Sequence, residues 1–237
     1  MTEFRDFSAL QLCALLSFVF LLQASIGFEP GFNASQSEWW KFFTSFFGHS
    51  DMEHLFNNLF FIGLFGTVYT MLTSEKVFWN TFLVSAVGAN LTAFIFYPES
   101  FIIGASGGAM GLLSALAVFK PKQIGLALGV PAPMYLVLPI YILVNFAGMT
   151  GSSNVAYEAH IFGLITGGLI GIWLRRGEQE YGKENKQLSP KKKRRSQKKD
   201  DRKKRENKES KEEESQDLDI GDWESKIKEW ERKYMFD

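Results

Sequence analysis

The sequence predicts an all-α membrane protein: a bundle of six transmembrane helices followed by a disordered, charged C-terminal tail. Three observations predict this class: six apolar runs in the first part of the chain, 23 phenylalanines that fall almost entirely in that part, and cations that crowd into the remainder. A helix needs about 20 residues to cross a hydrocarbon core of ~30 Å. Most of the runs have that length; they cover residues 8–27, 54–72, 77–96, 104–119, 133–149 and 156–174.

The fourth run is short for a membrane span. Its 16 residues, 104–119, reach only ~24 Å as a helix. Lys120 and Lys122 follow it and are expected to hold that end at the membrane surface. The other end, which carries Ser106, would then begin below the opposite surface. The sequence therefore predicts that Ser106 is sunk into the bilayer.

The distribution of cations predicts the orientation of the chain. The net charge of zero hides an asymmetry, because 21 of the 26 lysines and arginines lie in residues 175–237. With six spans, Lys41 falls alone on one side, and the other side receives Arg5, Lys76, Lys120, Lys122, Arg175, Arg176 and the tail. The positive-inside rule then predicts that both termini lie in the cytoplasm. We expect a multi-pass protein of the cell membrane.

The tail divides by composition. We expect a membrane domain at 1–176, a disordered linker at 177–219 with too little apolar surface to fold, and a short amphipathic helix at 220–237. The basic run at 191–205 is expected to attract anionic lipids, at ~1 kcal/mol per cation near the surface; a solvating tail is the alternative. No nucleic acid is expected as a partner, because no aromatic residues are interleaved with these cations.

The final helix has an apolar stripe. Trp223, Ile227, Trp230 and Tyr234 follow the i, i+4, i+7, i+11 spacing of one helical face. The sequence leaves two interpretations open: a solvated, marginal helix, or a helix that docks to lipid headgroups or to a partner.

Ionisable residues at membrane depth indicate function, because they are costly to place there. The three histidines, His49, His54 and His160, all fall at the outer ends of the predicted spans, on the level of Ser106. A single such histidine is explained well enough by an interhelical hydrogen bond; three beside a serine are not. A metal site is a minor alternative, because His49 and His54 stand about 140° apart on a helix and no carboxylate completes a ligand spacing. No cofactor is expected.

Glycine spacing predicts that Ser106 and His160 meet. In the sixth run, one stripe within about 60° of His160 consists of Gly163, Gly167 and Gly171. The fourth run supplies Gly107, Gly108, Gly111 and Ser114 beside Ser106. Small residues let two helices pack closely, which would bring the imidazole within reach of the hydroxyl. A serine nucleophile needs that arrangement, with histidine as its proton acceptor.

These segments together resemble the rhomboid intramembrane serine proteases. The resemblance rests on "GASGGAMG" at 104–111, "HSDMEHLFNN" at 49–58 and "AHIFG" at 159–163, in this order and with this topology. It extends to "EWWKFFT" at 38–44, which is similar to the Trp-Arg block of the family's first outer loop. It covers residues 8–174 and excludes the tail.

The resemblance implies a role for each matched residue. Ser106 matches the nucleophile and His160 the general base, while His54 and Asn58 match the side chains that stabilise the oxyanion. A fixed donor of this kind is worth ~3–4 kcal/mol in other enzymes. The implied supporting residues are Gly104, Gly107, Met110, His49 and Gly163, and Asn57 receives no role.

Two positions depart from the family pattern. Lys41 stands where the family usually has arginine, and it lacks the planar fork of that side chain. Met110 stands where an aromatic ring normally stacks on the base. No aspartate or glutamate is available to orient His160, so we expect packing to do so.

The implied substrates are transmembrane helices of membrane proteins, cut near their outer ends after local unwinding. One alternative is an inactive rhomboid-like protein that binds client helices. Another is a transporter or channel, a class that tends to show internal repeats or charges in mid-span; the sequence has neither.

Overall fold

The computed structural model describes the backbone of residues 7–35, 38–149 and 157–234, and their side chains apart from 182–198, 205, 207–222 and 234. Within these ranges the chain is mostly helical. The helices are α1 Ser8–Ile26, α2 Lys41–Thr44, α3 Met52–Phe61, α4 Thr67–Leu72, α5 Glu75–Phe96, α6 Ser106–Phe119, α7 Met134–Met149 and α8 Tyr157–Tyr234. A 3-10 turn, Ser45–Phe47, follows α2, and a π-helical turn, Ile62–Gly66, joins α3 to α4.

Four helical segments within the described ranges are long and apolar enough to cross a membrane: Ser8–Ile26, Met52–Leu72, Glu75–Phe96 and Tyr157–Tyr181. Two further apolar helices, α6 and α7, have 14 and 16 residues. Each of the six apolar runs in the sequence overlaps one of these segments. The chain is therefore a helical, membrane-embedded protein.

Helix α6 lies in the interior of the bundle. All of its residues are buried except Ser106 and Val118, which are half-buried. It packs against α5 on one side and α7 on another. Because protein surrounds α6, its length need not match the thickness of the lipid around the bundle.

The backbones of α6 and α8 approach closely along the glycine stripe of α8. A Cβ atom at Gly163 would overlap the carbonyl oxygen of Gly107, and one at Gly167 would overlap that of Gly111. One turn further, a Cβ at Gly171 would lie 2.7 Å from the carbonyl oxygen of Ala115. The contact thus advances by one turn on both helices, and only glycine fits at these positions of α8.

The glycines of α6 bring it close to a second helix as well. Their backbone carbonyls contact the glycines of α8, as the sequence predicted, and a Cβ at Gly107 would also meet Ala89, while one at Gly108 would meet Phe82. Both of these residues lie on α5. Helix α6 is therefore packed tightly between two helices.

The segment before Ser106 is tied to the aromatic-rich connection between α1 and α3. Phe32 and Ile102 exchange two backbone hydrogen bonds of 2.9 and 2.7 Å. The N–H of Gly104 donates to the carbonyl oxygen of Ser45 at 2.9 Å, and the amide of Asn90 donates to the Ser45 hydroxyl at 2.7 Å. These bonds fix the chain that leads into α6.

His49 anchors the same connection to α1. Its N–H donates to the Gln23 side chain at 2.9 Å, and the Gln23 amide donates back to the His49 carbonyl at 3.0 Å. The side chain is 1% exposed, and both ring nitrogens lack a partner among the described residues. Burial, with the nearby His54 ring, lowers the pKa of His49 to about 4. This position suits the support of the outer loop expected for His49.

The structure contains a β-hairpin between α6 and α7 that the sequence did not predict. Strand β1, Ile124–Ala127, pairs antiparallel with β2, Val130–Pro133. The two residues between them, Leu128 and Gly129, both have positive φ angles, 50° and 87°. Two such residues form the tight turn that matches the twist of paired strands. The short run between two helices gives too weak an alternation to reveal it.

The structure continues α8 into the tail, as far as Tyr234. The disordered linker expected at 177–219 and the separate helix at 220–237 stay predictions. Lysine, glutamate, arginine and glutamine favour helix, and the Arg202 Nε to Glu206 Oε1 pair at 3.1 Å adds an i, i+4 contact. The compact units divide after Glu178. Most side chains of the 191–205 run lie outside the described part, so lipid attraction there stays a prediction.

The α6–α8 contact is tested by a pair of adjacent glycines. Gly167→Ala should lower the free energy of unfolding by about 2 kcal/mol, because overpacking costs ~1–3 kcal/mol. A Cβ at Gly168 meets nothing within 4 Å, so Gly168→Ala should leave stability unchanged or slightly higher. Reversible unfolding in mixed micelles measures both. Equal effects of the two variants would show that the helices do not approach as described.

Burial of neutral His49 should make stability depend on pH. The unfolded chain takes up a proton near the usual pKa of about 6.5, whereas the folded chain does so only near 4. The contribution is therefore complete above pH ~6.5, and roughly 3 kcal/mol of it is lost as the pH falls toward 4. His49→Gln should flatten the unfolding free energy in this window. Parallel pH profiles for wild type and variant would contradict the assignment.

Candidate active site

Gly104 sets the path of the chain into the site. Its φ of 130° lies in a region that side chains rarely adopt. A Cβ there would also stand 2.7 Å from the His54 ring. Glycine thus lets the backbone pass His54 closely before α6 begins at Ser106. The supporting position predicted for Gly104 has this physical reason.

Ser106 and His160 lie within hydrogen-bonding distance. The hydroxyl oxygen of Ser106 is 2.8 Å from Nε2 of His160. Ser106 begins α6, and His160 lies in the first turn of α8, so the close packing of these two helices brings the side chains together. The geometry agrees with the one that glycine spacing predicts. The catalytic roles of the two residues stay a prediction.

Asn145 on α7 lies within hydrogen-bonding distance of the second ring nitrogen of His160. Its Oδ1 is 2.9 Å from Nδ1 of His160, and its Nδ2 donates to the Tyr141 carbonyl at 2.8 Å. The residue is 3% exposed. Sequence reasoning missed it, because it sought only a carboxylate partner for His160. The signal was present: Asn145 is the sole amide in the run at 133–149.

Tyr157 supplies an aromatic contact to His160. The two ring centroids are 5.9 Å apart and nearly perpendicular, at 82°. The Tyr157 ring occupies space beside α7 that a Cβ at Gly148 would fill. Met110 is buried in the core, 8% exposed. An aromatic contact with the imidazole therefore comes from Tyr157 at the start of α8, whereas the family resemblance places such a ring at the position of Met110 on α6.

His54 is engaged by a network of side chains at the start of α3. Its Nδ1 is 3.1 Å from the Ser50 hydroxyl, which donates to Asp51 at 2.7 Å. The His54 N–H donates to the same carboxylate at 2.8 Å and, as the main cause, lowers the pKa of Asp51. Because the carboxylate only accepts, the Ser50 hydroxyl oxygen is left to accept from Nδ1–H. In this arrangement Nε2 of neutral His54 carries a lone pair.

Asn58 lies one turn further along α3 and is 4% exposed. Its amide donates to the His54 carbonyl at 2.9 Å. The Asn58 amide has a second N–H, which stays available to an oxyanion. His54 must gain a proton or change tautomer before its Nε2 can donate. The oxyanion roles of both stay a prediction.

A metal centre finds no support in the described part of the chain, where no group of three or more histidine, cysteine, aspartate or glutamate side chains could hold an ion. The rings of His49 and His54 instead pack edge to face with centroids 5.1 Å apart.

Comparison with known proteins gives related sequences. Rhomboid-like protein 11, chloroplastic, of Arabidopsis thaliana is 34% identical over 83 residues, which is 35% of this chain and 30% of that protein. Rhomboid protease GluP of Bacillus subtilis (strain 168) is 26% identical over 135 residues, 56% of this chain and 25% of that protein. RHOMBOID-like protein 6, mitochondrial, of Arabidopsis thaliana is 26% identical over 162 residues, 65% of this chain and 49% of that protein.

The chain thus matches between a quarter and a half of the length of these relatives. The model of the Rhomboid domain family matches residues 36–177. These residues include α3 to α7, the first part of α8, and every residue predicted for the site. Since this match spans more than half of the sequence, the chain belongs to the rhomboid family.

Proposed function

We propose that this protein is an intramembrane serine endopeptidase that cleaves transmembrane helices of membrane proteins near their outer ends. The observation that carries the proposal is the 2.8 Å separation of Ser106 Oγ and His160 Nε2. A hydroxyl becomes a nucleophile when an adjacent base accepts its proton. The relative GluP, which carries the word protease in its name, adds support.

The reaction proceeds in two halves. Ser106 Oγ attacks the carbonyl carbon of the scissile peptide bond while its proton moves to Nε2 of His160. The tetrahedral intermediate collapses, the C–N bond breaks, and His160 gives that proton to the departing amine. Water then loses a proton to His160 and attacks the acyl carbon. The ester C–O bond breaks, His160 returns the proton to Ser106 Oγ, and the acid is released.

Charge on the intermediate's oxygen is stabilised by fixed donors. The backbone N–H of Ser106 lies at the N-terminus of α6, where the helix dipole favours negative charge. His54 and Asn58 are the proposed side-chain donors. Asn58 has a second N–H beside the one that bonds to the His54 carbonyl, whereas His54 would have to gain a proton or change tautomer. Removal of one such donor in other enzymes costs ~10²–10³ in kcat.

The proposed topology has six spans, with α6 and α7 included, and both termini in the cytoplasm. The burial of α6 supports the inclusion of a helix that reaches only ~21 Å. Lys120 at its C-terminal end pairs with Glu178, close to Arg175 and Arg176, so cations gather at the end opposite Ser106. By the positive-inside rule, this supports a position of Ser106 toward the outer face of the cell membrane. We propose anionic lipids as partners of the basic tail.

The proposed substrates must unfold locally, because a peptide bond within a helix is shielded by its own hydrogen bonds. Substrate segments with glycine, proline or polar residues near the outer end should therefore be cut more readily. Water reaches Ser106 from the same side, through the polar groups around Ser50, Asp51 and His54.

A second candidate is an inactive rhomboid-like protein that binds client helices. It is favoured by the resting state of His54, whose Nδ1 faces the Ser50 hydroxyl and whose Nε2 is not poised as a donor. It predicts no covalent reaction at Ser106, so one labelling experiment separates the two candidates.

A fluorophosphonate should label the full-length protein at Ser106. Ser106→Ala and His160→Ala should each abolish labelling and the cleavage of a single-span reporter. Ser114 is a matched control on the same helix, where its hydroxyl bonds to the Gly111 carbonyl at 3.2 Å. Ser114→Ala should retain both activities. Equal labelling of wild type and Ser106→Ala would refute the protease proposal.

The role of Asn58 is tested against its neighbour. Asn58→Ala should lower kcat for the reporter by about 10²-fold, the usual effect of one lost oxyanion donor. Asn57 is exposed, so Asn57→Ala should stay within about twofold of wild type, since exposed substitutions away from a site perturb little. Similar kcat values for the two variants would exclude Asn58 from oxyanion stabilisation.

A further inference from the structure

We propose that Asn145 is the positioning residue of the base: it holds His160 in the tautomer and ring orientation that proton transfer from Ser106 requires. This inference rests on the proposed function, since it assigns a third member to the Ser106–His160 pair. The members lie on three helices, α6, α8 and α7, and form one continuous chain of hydrogen bonds from Ser106 Oγ to the Tyr141 carbonyl.

The orientation of the Asn145 amide follows from its second partner. Its nitrogen faces the Tyr141 carbonyl at 2.8 Å, and a carbonyl can only accept a hydrogen bond. The amide oxygen must therefore point toward His160, where it is 2.9 Å from Nδ1. A flipped amide would set two acceptors against each other at Tyr141. The backbone of α7 thus determines which amide atom His160 meets.

The amide oxygen in turn determines which nitrogen of the neutral His160 ring carries the hydrogen. An oxygen acceptor at 2.9 Å requires Nδ1 to carry the hydrogen, so the neutral ring has a lone pair on Nε2. Nε2 is the atom that lies 2.8 Å from the Ser106 hydroxyl. The hydroxyl can then donate to Nε2, which is the direction of proton transfer at the start of the reaction.

Packing also restrains the orientation of the His160 ring. Asn145 is 3% exposed, so its side chain has little room to rotate away. Tyr157 contacts the imidazole edge to face, and Gly148 on α7 leaves the space that the Tyr157 ring fills. Helix α7 therefore restrains His160 in two ways: through the Asn145 amide, and through the space at Gly148 in which the Tyr157 ring packs.

An amide suits this position better than a carboxylate at rest. A carboxylate at membrane depth is costly, whereas a neutral amide provides the same acceptor without a charge. The price is a weaker stabilisation of the imidazolium that forms during attack. Asn145→Asp should therefore keep the tautomer and support catalysis. Asn145→Leu should lose the single tautomer and lower kcat.

The test uses the full-length protein in lipid nanodiscs with ¹⁵N-labelled histidine, and His160→Ala assigns the His160 signals. Wild type should show a protonated Nδ1 and a bare Nε2. Asn145→Leu should lose this single-tautomer signature, and Asn145→Asp should keep it. Asn90 is the control, because its amide is also buried, at 6% exposure, and bonds to Phe42 and Ser45 instead. Asn90→Leu should leave the His160 signature unchanged.

Kinetics on the single-span reporter give the second readout. Asn145→Leu should lower kcat by about 10- to 100-fold with KM unchanged, a smaller loss than the ~10⁴ seen where a triad aspartate becomes an amide that selects the wrong tautomer. Asn145→Asp should recover kcat to within about tenfold of wild type, because it restores the acceptor.

The outcomes separate this inference from the proposed function. A wild-type His160 protonated at Nε2, or an Asn145→Leu variant with wild-type tautomer and kcat, would overturn the role of Asn145 alone. A Ser106→Ala variant that cleaves like wild type would overturn the protease proposal, and the NMR signature would still decide on Asn145. If Asn145→Leu does not fold, the wild-type and Asn145→Asp spectra decide.

Discussion

The close approach of α6 and α8 is the contact on which the arrangement of the site depends. Three glycines of α8 lie against backbone atoms of α6, where any Cβ would overlap a carbonyl group. Lipid gives helices little hydrophobic reason to associate, so close van der Waals packing must supply much of the attraction. The same contact sets the register that brings the first turns of the two helices, with Ser106 and His160, to one level.

Polar groups that are buried within a membrane are stabilised when they form hydrogen bonds with one another. An unpaired hydroxyl, imidazole or amide in hydrocarbon would cost several kcal/mol, so the chain from Ser106 through His160 and Asn145 to the α7 backbone stabilises the fold. The network around Ser50, Asp51 and His54 pairs polar groups in the same way before α3. Under the proposed function, the first of these sets of hydrogen bonds would also orient the base.

The sequence predicts much of this arrangement and fails where the information is not local. Apolar runs locate the helices within a few residues, and glycine spacing predicts the pairing of Ser106 with His160, because both depend on periodicity along one helix. The contact of the α6 glycines with α5 and the Asn145 bond depend on which helices pack together. Tyr157 was missed because only the Met110 position was considered for an aromatic contact, and the hairpin because the short run between α6 and α7 gives too weak an alternation. The disorder that charge suggests for the tail stays a prediction.

An experimental structure of the full-length protein, determined within a lipid bilayer, is the most direct measurement of the central claim. The account predicts Ser106 Oγ and His160 Nε2 within hydrogen-bonding distance, about 3 Å, on two helices whose backbones touch at Gly163 and Gly107. Separation of the α6 and α8 backbones by intervening lipid or side chains, with the Ser106 hydroxyl turned toward acyl chains, would contradict it.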